Sequence, residues 1–477
     1  MSARFPELFV ERYRRFIPDF DDFLAALSRP PARTVRVNTL KATRDEALAW
    51  LSDMNPEPLP WWDLALRVPG SGGLGKKLAH FLGLFYVQDA ASMVPPLVLG
   101  PRPGERVLDL AAAPGSKTTQ MSAMMANTGL VIANDYSRGR VRGLIGNVDR
   151  AGCLNVAICR MDGIKLGREL AGTCDRVLVD APCSAEGTIC RSDQALDRWS
   201  PASIEMFGRV QKGLIVAGYR ALVPGGVMVY STCTIAPEEN EGTVAYLLSR
   251  YPEAELLPVE VDGFRMRPGL AGWEGRDYPG AVRNCRRILP QDNDTEAFFV
   301  ALVRKPEEGT RVQGFQGSRG KTDKPRAAGP ADREAVGPLV RRFGIPAPVF
   351  EPYRTLAGQG AVFIATPEVM AFDAVRPMRR GIRLCRVFPR SVKPTSWAMQ
   401  SLGRRASRNV IDLDEDQAAA LVNGAQLRPG AGVDVEDGFV IVRCRGFVVG
   451  VGLFRRPVLK SQIPGFRPVE TPGENDG

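Results

Sequence analysis

The sequence predicts an α/β protein built on a Rossmann-like, doubly wound and mostly parallel sheet, with an N-terminal α+β lead-in and small C-terminal α/β and β-rich domains. Two observations carry that reading. Between residues 104 and 304, short apolar segments alternate with amphipathic ones, the rhythm of strands joined by right-handed helical crossovers. The first apolar segment also runs into Ala-Ala-Ala-Pro-Gly-Ser, a stretch of small residues that lets a ligand approach the backbone.

The strands read as Arg106–Leu110, Leu130–Asn134, Asn155–Cys159, Arg176–Asp180 and Val227–Thr232. Helices fall near 116–126, 138–151, 203–222 and 239–249. A last strand over Glu296–Arg304 follows no obvious crossover helix, so it is expected to be antiparallel. The chain divides into a lead-in (1–100), the α/β domain (101–305), a Gly, Pro, Lys and Arg-rich linker (306–333) and a small mixed domain (334–390). A β-rich module (391–466) follows, with strands at Phe439–Cys444 and Phe447–Phe454, and then a frayed tail (467–477).

The 477 residues carry 63 Lys and Arg against 53 Asp and Glu, a net charge of +10 that favours a polyanionic partner such as RNA or DNA. Charge alone does not separate that partner from none. The nine cysteines form no CxxC pair, and no apolar run reaches the length of a membrane span. A cytoplasmic protein with reduced thiols is expected, without membrane or metal partner and with nothing that demands more than a monomer. His80 is the only histidine, read as structural or surface, so catalytic work falls to Cys, Asp, Glu, Lys or Tyr.

Ligands of open α/β sheets bind at the carboxyl ends of the strands. There the loop Ala112, Ala113, Pro114, Gly115, Ser116 and Lys117 leads into a helix N-terminus with free N–H groups. It is neither GxGxxG nor GxxxxGK[ST], which speaks against a dinucleotide or P-loop site. Asp135 ends the second strand, where a carboxylate accepts ribose hydroxyls. Asp162 follows the third, placed to meet an adenine edge, and Asp180 ends the fourth. One such aspartate is usually a helix cap or turn residue. Three at successive strand ends beside this loop point to an adenosine-containing ligand.

Asp180-Ala-Pro-Cys-Ser184 leaves the fourth strand and Ser231-Thr-Cys-Thr234 the fifth, so Cys183 and Cys233 should face one cleft. The other seven cysteines, at 153, 159, 174, 190, 285, 385 and 444, read as small buried hydrophobes.

From Arg36 through Arg304 the chain resembles the NOL1/NOP2/Sun family of RNA cytosine-5 methyltransferases. The shared motifs are Tyr86-Val-Gln-Asp-Ala-Ala-Ser92, AAAPGSKT, DAPCS, STCT followed by Pro237-Glu-Glu-Asn240, and Glu296-Ala-Phe-Phe299. The AAAPGSKTTQ loop and the C-terminal length resemble the bacterial 16S rRNA enzymes, in which a PUA-like RNA-binding module follows. The resemblance implies a class I methyltransferase fold, S-adenosylmethionine as cofactor, and RNA as partner, with 16S rRNA of the small subunit favoured. It assigns Cys233 as nucleophile, Cys183 to breakdown of the covalent intermediate, and Asp180 to the target base and cofactor. Residues 112–117, Asp135 and Asp162 would hold the cofactor, with Lys117 near its carboxylate or the base. Many relatives have glycine where Ser116, Ala185 and Ala297 stand, which matters only where the backbone needs a positive φ.

A thiol suits this chemistry because carbon-5 of cytosine is a poor nucleophile until a thiolate adds at carbon-6 and creates an enamine. Two other readings stay open: a tRNA cytosine-5 methyltransferase, and a non-catalytic RNA-binding or ribosome-assembly protein on the same fold. A dehydrogenase lacks its glycine fingerprint.

Overall fold

A computed structural model describes residues 4–70, 72–307, 333–358, 360–389, 391–430 and 433–464. The expected tail and nearly all of the expected linker lie outside the described residues. Among the described residues no helix is long and apolar enough to cross a membrane.

The central domain is ordered β1 (Arg106–Asp109), α1 (Ser116–Met124), β2 (Leu130–Asn134), α2 (Arg138–Ala151), β3 (Val156–Cys159), α3 (Gly163–Glu169), β4 (Cys174–Asp180), α4 (Pro201–Ala221), β5 (Leu222–Thr232), α5 (Glu241–Arg250), β6 (Arg286–Ile288) and β7 (Phe298–Arg304). Its sheet runs β6-β7-β5-β4-β1-β2-β3. β5, β4, β1, β2 and β3 are parallel, whereas β7 is antiparallel to β5 and β6 to β7. Every residue of β2 and β3 is buried, as helices on both faces of a parallel sheet require. The strand order reverses between β1 and β4, which opens a crevice above their carboxyl ends.

Helix α4 shows why these elements form. Pro201 sits at its first turn, and Ser200 and Ser203 exchange side-chain and backbone hydrogen bonds in a capping box. Its inner face carries Leu214, Ile215 and Ala217 against the sheet, and one polar residue, Gln211, that is also fully buried. A buried amide on an apolar face needs partners, and those partners lie in the functional site.

The lead-in opens with two helices, Glu7–Arg14 and Phe20–Leu27, and continues into a four-stranded antiparallel sheet formed by residues 34–37, 57–59, 62–67 and 85–87. Phe9, Tyr13, Phe23 and Leu27 of the helices pack on Ile189, Ile235 and Ala297 of the central domain. On the other side, the sheet residues Val35, Val37 and Leu66 share one core with Val440, Val442 and Phe454 of the C-terminal five-stranded sheet. The T-shaped pair Trp50–Phe447, with ring centroids 6.0 Å apart, joins the two.

The expected division of the C-terminal half differs from the structure in two places. Arg379–Arg380, assigned to a separate small domain, forms an antiparallel edge strand on β3, with Met378 N–H donating to Ile158 O at 2.8 Å. The boundary at 390/391 separates two strands of one hairpin, Ile382–Phe388 and Ser391–Pro394. Both joins are made by backbone hydrogen bonds, which leave no mark on the apolar pattern of an arginine-rich stretch.

Candidate active site

The β1–α1 loop forms the floor of the crevice. Gly115 adopts φ +108°, and a Cβ there would lie 3.0 Å from Leu144 Cδ1, so this turn needs glycine. Helix α1 begins without a side-chain cap, which leaves its first N–H groups free at the loop. Beneath them Asp109, absent from the sequence expectation, receives the Thr118 hydroxyl at 2.6 Å through Oδ2. Its Oδ1 is buried and has no hydrogen-bond partner among the described residues. Burial pushes its carboxyl up to about 7 despite that hydrogen bond.

Asp135 is buried at the end of β2. It accepts the Ala113 N–H at 3.2 Å on Oδ2, which also pairs with Arg140 at 3.5 Å, and the Ser137 N–H at 2.9 Å on Oδ1, so it fixes the loop and keeps acceptor capacity on Oδ1 for a ligand. Asp162 is exposed and caps helix α3 by accepting the Lys165 N–H at 2.9 Å. The two carboxylates thus hang from adjacent strand ends, one inside the rim and one on it.

Asp180, at the end of β4, is gripped on both oxygens. Lys117 Nζ donates to Oδ2 at 2.7 Å and the Ser231 hydroxyl to Oδ1 at 2.9 Å. Burial alone would depress the Lys117 ammonium, but the Asp180 carboxylate more than offsets it and its pKa is raised. The ammonium also lies 4.9 Å from the centre of the Phe298 ring, contributed by β7. The structure therefore ties Lys117 to Asp180.

Cys183 and Cys233 come together with their Sγ atoms 3.3 Å apart. The hydrogen bond with Cys233, then burial, holds the Cys183 thiol well above its ordinary pKa. The remaining seven cysteines are all buried. Cys183 lines a cleft of about 700 Å³ together with Ser116, Tyr86, Gln88, Arg191 and Glu296. A splayed nucleotide fits within that volume. The cleft's far wall is the lead-in sheet, so the cleft is built from two parts of the chain.

Arg36 joins those parts. Fully buried, it donates to Gln88 Oε1 and to Thr119 Oγ1 of α1, both at 3.0 Å, and so clamps the cofactor helix to the lead-in sheet. Nothing local in the sequence shows where this guanidinium points. His80 is buried and also lines the cleft, where burial lowers its pKa to about 3 and keeps the ring neutral at physiological pH.

The three departures at glycine positions differ in consequence. Ala185 adopts φ +59°, a left-handed conformation in which Cβ meets the carbonyl, whereas Ser116 and Ala297 have no positive φ. Ala185→Gly is expected to raise stability by about 0.5–1 kcal/mol, the strain relieved less the entropy glycine adds to the unfolded chain. Denaturant midpoints of the two proteins check this, and a lower midpoint for the glycine variant contradicts it. The close approach in this loop belongs to Gly187, where a Cβ would lie 2.3 Å from Ala297 O and 2.8 Å from Cys233 O.

Comparison with known proteins matches residues 96–304 to the 16S rRNA methyltransferase RsmB/F family and residues 5–90 to the N-terminal domain of 16S rRNA methyltransferase RsmF. The chain belongs to the 16S rRNA methyltransferase RsmB/F family. It is an S-adenosylmethionine-dependent RNA methyltransferase, in agreement with the motif resemblance. It is 35% identical to ribosomal RNA small subunit methyltransferase F of Klebsiella pneumoniae, over 97% of this chain and 96% of that protein. It is 44% identical to a tRNA (cytosine(49)-C(5))-methyltransferase of Pyrococcus abyssi, over 62% of this chain and 95% of that one. A methyltransferase homolog protein from Pyrococcus horikoshii aligns with TM-score 0.57 and 32% identity, covering 63% of this chain and 95% of its own.

The residues present fit S-adenosylmethionine. Free N–H groups at the start of α1 suit a carboxylate, the lone Asp109 Oδ1 suits a cationic group, and Asp135 keeps acceptor capacity beside the loop.

Proposed function

We propose that this methyltransferase modifies carbon-5 of a cytosine in 16S rRNA, with Cys233 as the nucleophile and Cys183 serving the breakdown of the covalent adduct. The observation that carries the chemistry is the thiol pair at 3.3 Å beside Asp180. One thiol adds to the base and the second stands within reach of the same ring. Cys233, its thiol proton released to solvent, bonds through its thiolate sulfur to carbon-6, and the ring π electrons shift to make carbon-5 nucleophilic. Asp180, oriented by Lys117 and Ser231, holds the base in the cleft. S-adenosylmethionine, held by residues 112–117, Asp135 and Asp162, supplies the electrophilic methyl group. Cys183, as its thiolate, then takes the carbon-5 proton, and the carbon–sulfur bond breaks to expel the Cys233 thiolate and restore the aromatic ring. Because Cys183 is held above its ordinary pKa, its thiolate is the stronger base once formed and retains the proton it has taken.

The choice of 16S rRNA rests on coverage. The rRNA relative from Klebsiella aligns across the whole chain, including the C-terminal sheets, whereas the tRNA relative leaves more than a third of this chain unmatched. We place the enzyme in the cytoplasm with that substrate. Bisulfite mapping of 16S rRNA and tRNA from a deletion strain tests the assignment. One or more 16S cytosines should lose their mark and tRNA should keep all of its own. Loss confined to tRNA overturns the rRNA assignment in favour of the tRNA reading.

A further inference from the structure

Two buried carboxylates that no step above uses lie directly behind the cysteines. Glu186 follows the Asp180–Ser184 loop, Glu239 belongs to Pro237-Glu-Glu-Asn240, and both are completely shielded from solvent. They meet on the two hydroxyls that come immediately after the cysteines. Ser184 Oγ lies 2.5 Å from Glu239 Oε1 and 2.7 Å from Thr234 Oγ1, and Thr234 Oγ1 lies 2.9 Å from Glu186 Oε2.

Each of these three short oxygen–oxygen contacts needs one hydrogen. Ser184 and Thr234 supply two. With both glutamates ionised, one contact would press lone pair on lone pair, so the line must hold a third proton on one of the carboxyls. Fixed N–H donors decide which. Glu186 receives one on each oxygen, Trp199 Nε1 at 2.5 Å on Oε1 and Ile235 N at 2.9 Å on Oε2, with the Tyr13 hydroxyl also on Oε1. Glu239 takes both of its N–H donors, Ser184 N at 3.1 Å and Gln211 Nε2 at 2.6 Å, on Oε2. Its Oε1 is the oxygen left for a proton.

We infer that Glu239 is protonated and heads a relay, Glu239 Oε1–H to Ser184 Oγ–H to Thr234 Oγ1–H to the Glu186 carboxylate, that fixes the two cysteine loops in register. The three short contacts then each hold one hydrogen. Thr234 Oγ1 donates to Glu186 and accepts from Ser184 and from the Ala236 N–H at 3.2 Å, with Glu239 Oε1 a longer neighbour at 3.2 Å. Gln211, the polar residue on the inner face of α4, donates through Nε2 to Glu239 and to Pro182 O, and so ties the relay to that helix and to the Asp180–Ser184 loop. Burial first, and repulsion from Glu186 second, push the Glu239 carboxyl up to about 7. The titratable groups facing it are Glu186 across the relay, the Cys183 thiol and the Tyr230 phenol on β5. Glu239 is a positioning residue. It acts through Ser184 and Thr234 on the geometry of Cys183 and Cys233, and only its effect on rate rests on the roles proposed for those cysteines.

The relay predicts opposite responses to one isosteric change. In Glu239→Gln the amide NH2 takes the place of the O–H and the amide oxygen keeps the two N–H donors. In Glu186→Gln the NH2 faces a donor in either orientation. With the full-length enzyme, Glu239→Gln is expected to keep kcat within about threefold, while Glu239→Ala and Glu186→Gln each lose about 100-fold, the scale of a reacting group misplaced by an ångström. KM for S-adenosylmethionine should stay unchanged in all three. Two readouts do not depend on methyl transfer. Infrared difference spectra of wild type against Glu239→Gln should show a protonated-carboxyl stretch at neutral pH that the variant lacks.

Thermal stability against pH gives the other. A carboxyl raised from its ordinary 4.5 to about 7 stabilises the fold most below 4.5 and loses that contribution as pH rises through 7. Wild type should therefore fall relative to Glu239→Gln across that window. Absence of both the band and this relative fall overturns the protonation, whatever the cysteines do. Loss of kcat in Glu239→Gln as large as in Glu239→Ala, misfolding of Glu239→Gln, or tolerance of Glu186→Gln overturns the relay as drawn.

Discussion

Cys233→Ala is expected to abolish methyl transfer, lowering kcat by at least about 10⁴-fold, the scale seen when a catalytic nucleophile is removed. The reaction has no comparable route without a thiolate at carbon-6, because the aromatic ring gives carbon-5 too little nucleophilicity. Binding of S-adenosylmethionine should survive. The free N–H groups of α1 and the Asp135 contacts lie on the β1–α1 and β2–α2 loops, and Cys233 hydrogen-bonds to neither. Single-turnover assays with radiolabelled cofactor measure the loss, and calorimetric titration measures the binding. Turnover at the wild-type rate would falsify the assignment. An active Cys233→Ala beside a dead Cys183→Ala would instead exchange the roles of the two thiols.

Much of the central domain is readable in the sequence because a parallel sheet covered on both faces demands continuous apolar strands. Leu130–Asn134 has the same limits in both readings, and the antiparallel last strand is present as β7. The strand ends then place Asp135, Asp180, Cys183 and Cys233 on one rim without further information. Elements defined by other physics were missed. The edge strand Arg379–Arg380 has no apolar face and exists through its backbone bonds to β3. Asp162 is a different case: it caps a helix, one of the two roles open to a strand-end aspartate in the sequence, and the cap leaves its part in ligand binding to the proposal above.

The site's supporting residues were harder still. Arg36, Glu186, Gln211 and Glu239 are buried polar groups whose meaning lies in partners far away in the chain, such as Glu186 with Tyr13 and Gln211 with Pro182. A buried polar residue inside an apolar pattern, as at Gln211, is the one signal that could have marked such a network. It identifies a residue that needs partners, but not which ones.

Cys183→Ala should leave the first half of the reaction intact and stall the second. Cys233 keeps its place, since Ser184 and Thr234 still pair at 2.7 Å and Gly187 N still donates to Cys233 O at 2.8 Å. Addition at carbon-6 and methyl transfer to carbon-5 therefore proceed. What the variant lacks is the group beside Cys233 that takes the carbon-5 proton. Without it the carbon–sulfur bond is retained, so protein should accumulate on RNA as an adduct that survives denaturation. Electrophoresis under denaturing conditions reads the adduct directly, and the double variant with Cys233→Ala should form none. Multiple turnover should fall by about 10²–10⁴-fold, the range for loss of a general acid or base, while the first turnover stays close to wild type. A Cys183→Ala enzyme that turns over freely and leaves no adduct would show that water or another side chain removes the proton. The 3.3 Å thiol pair would then be a packing contact rather than a division of labour.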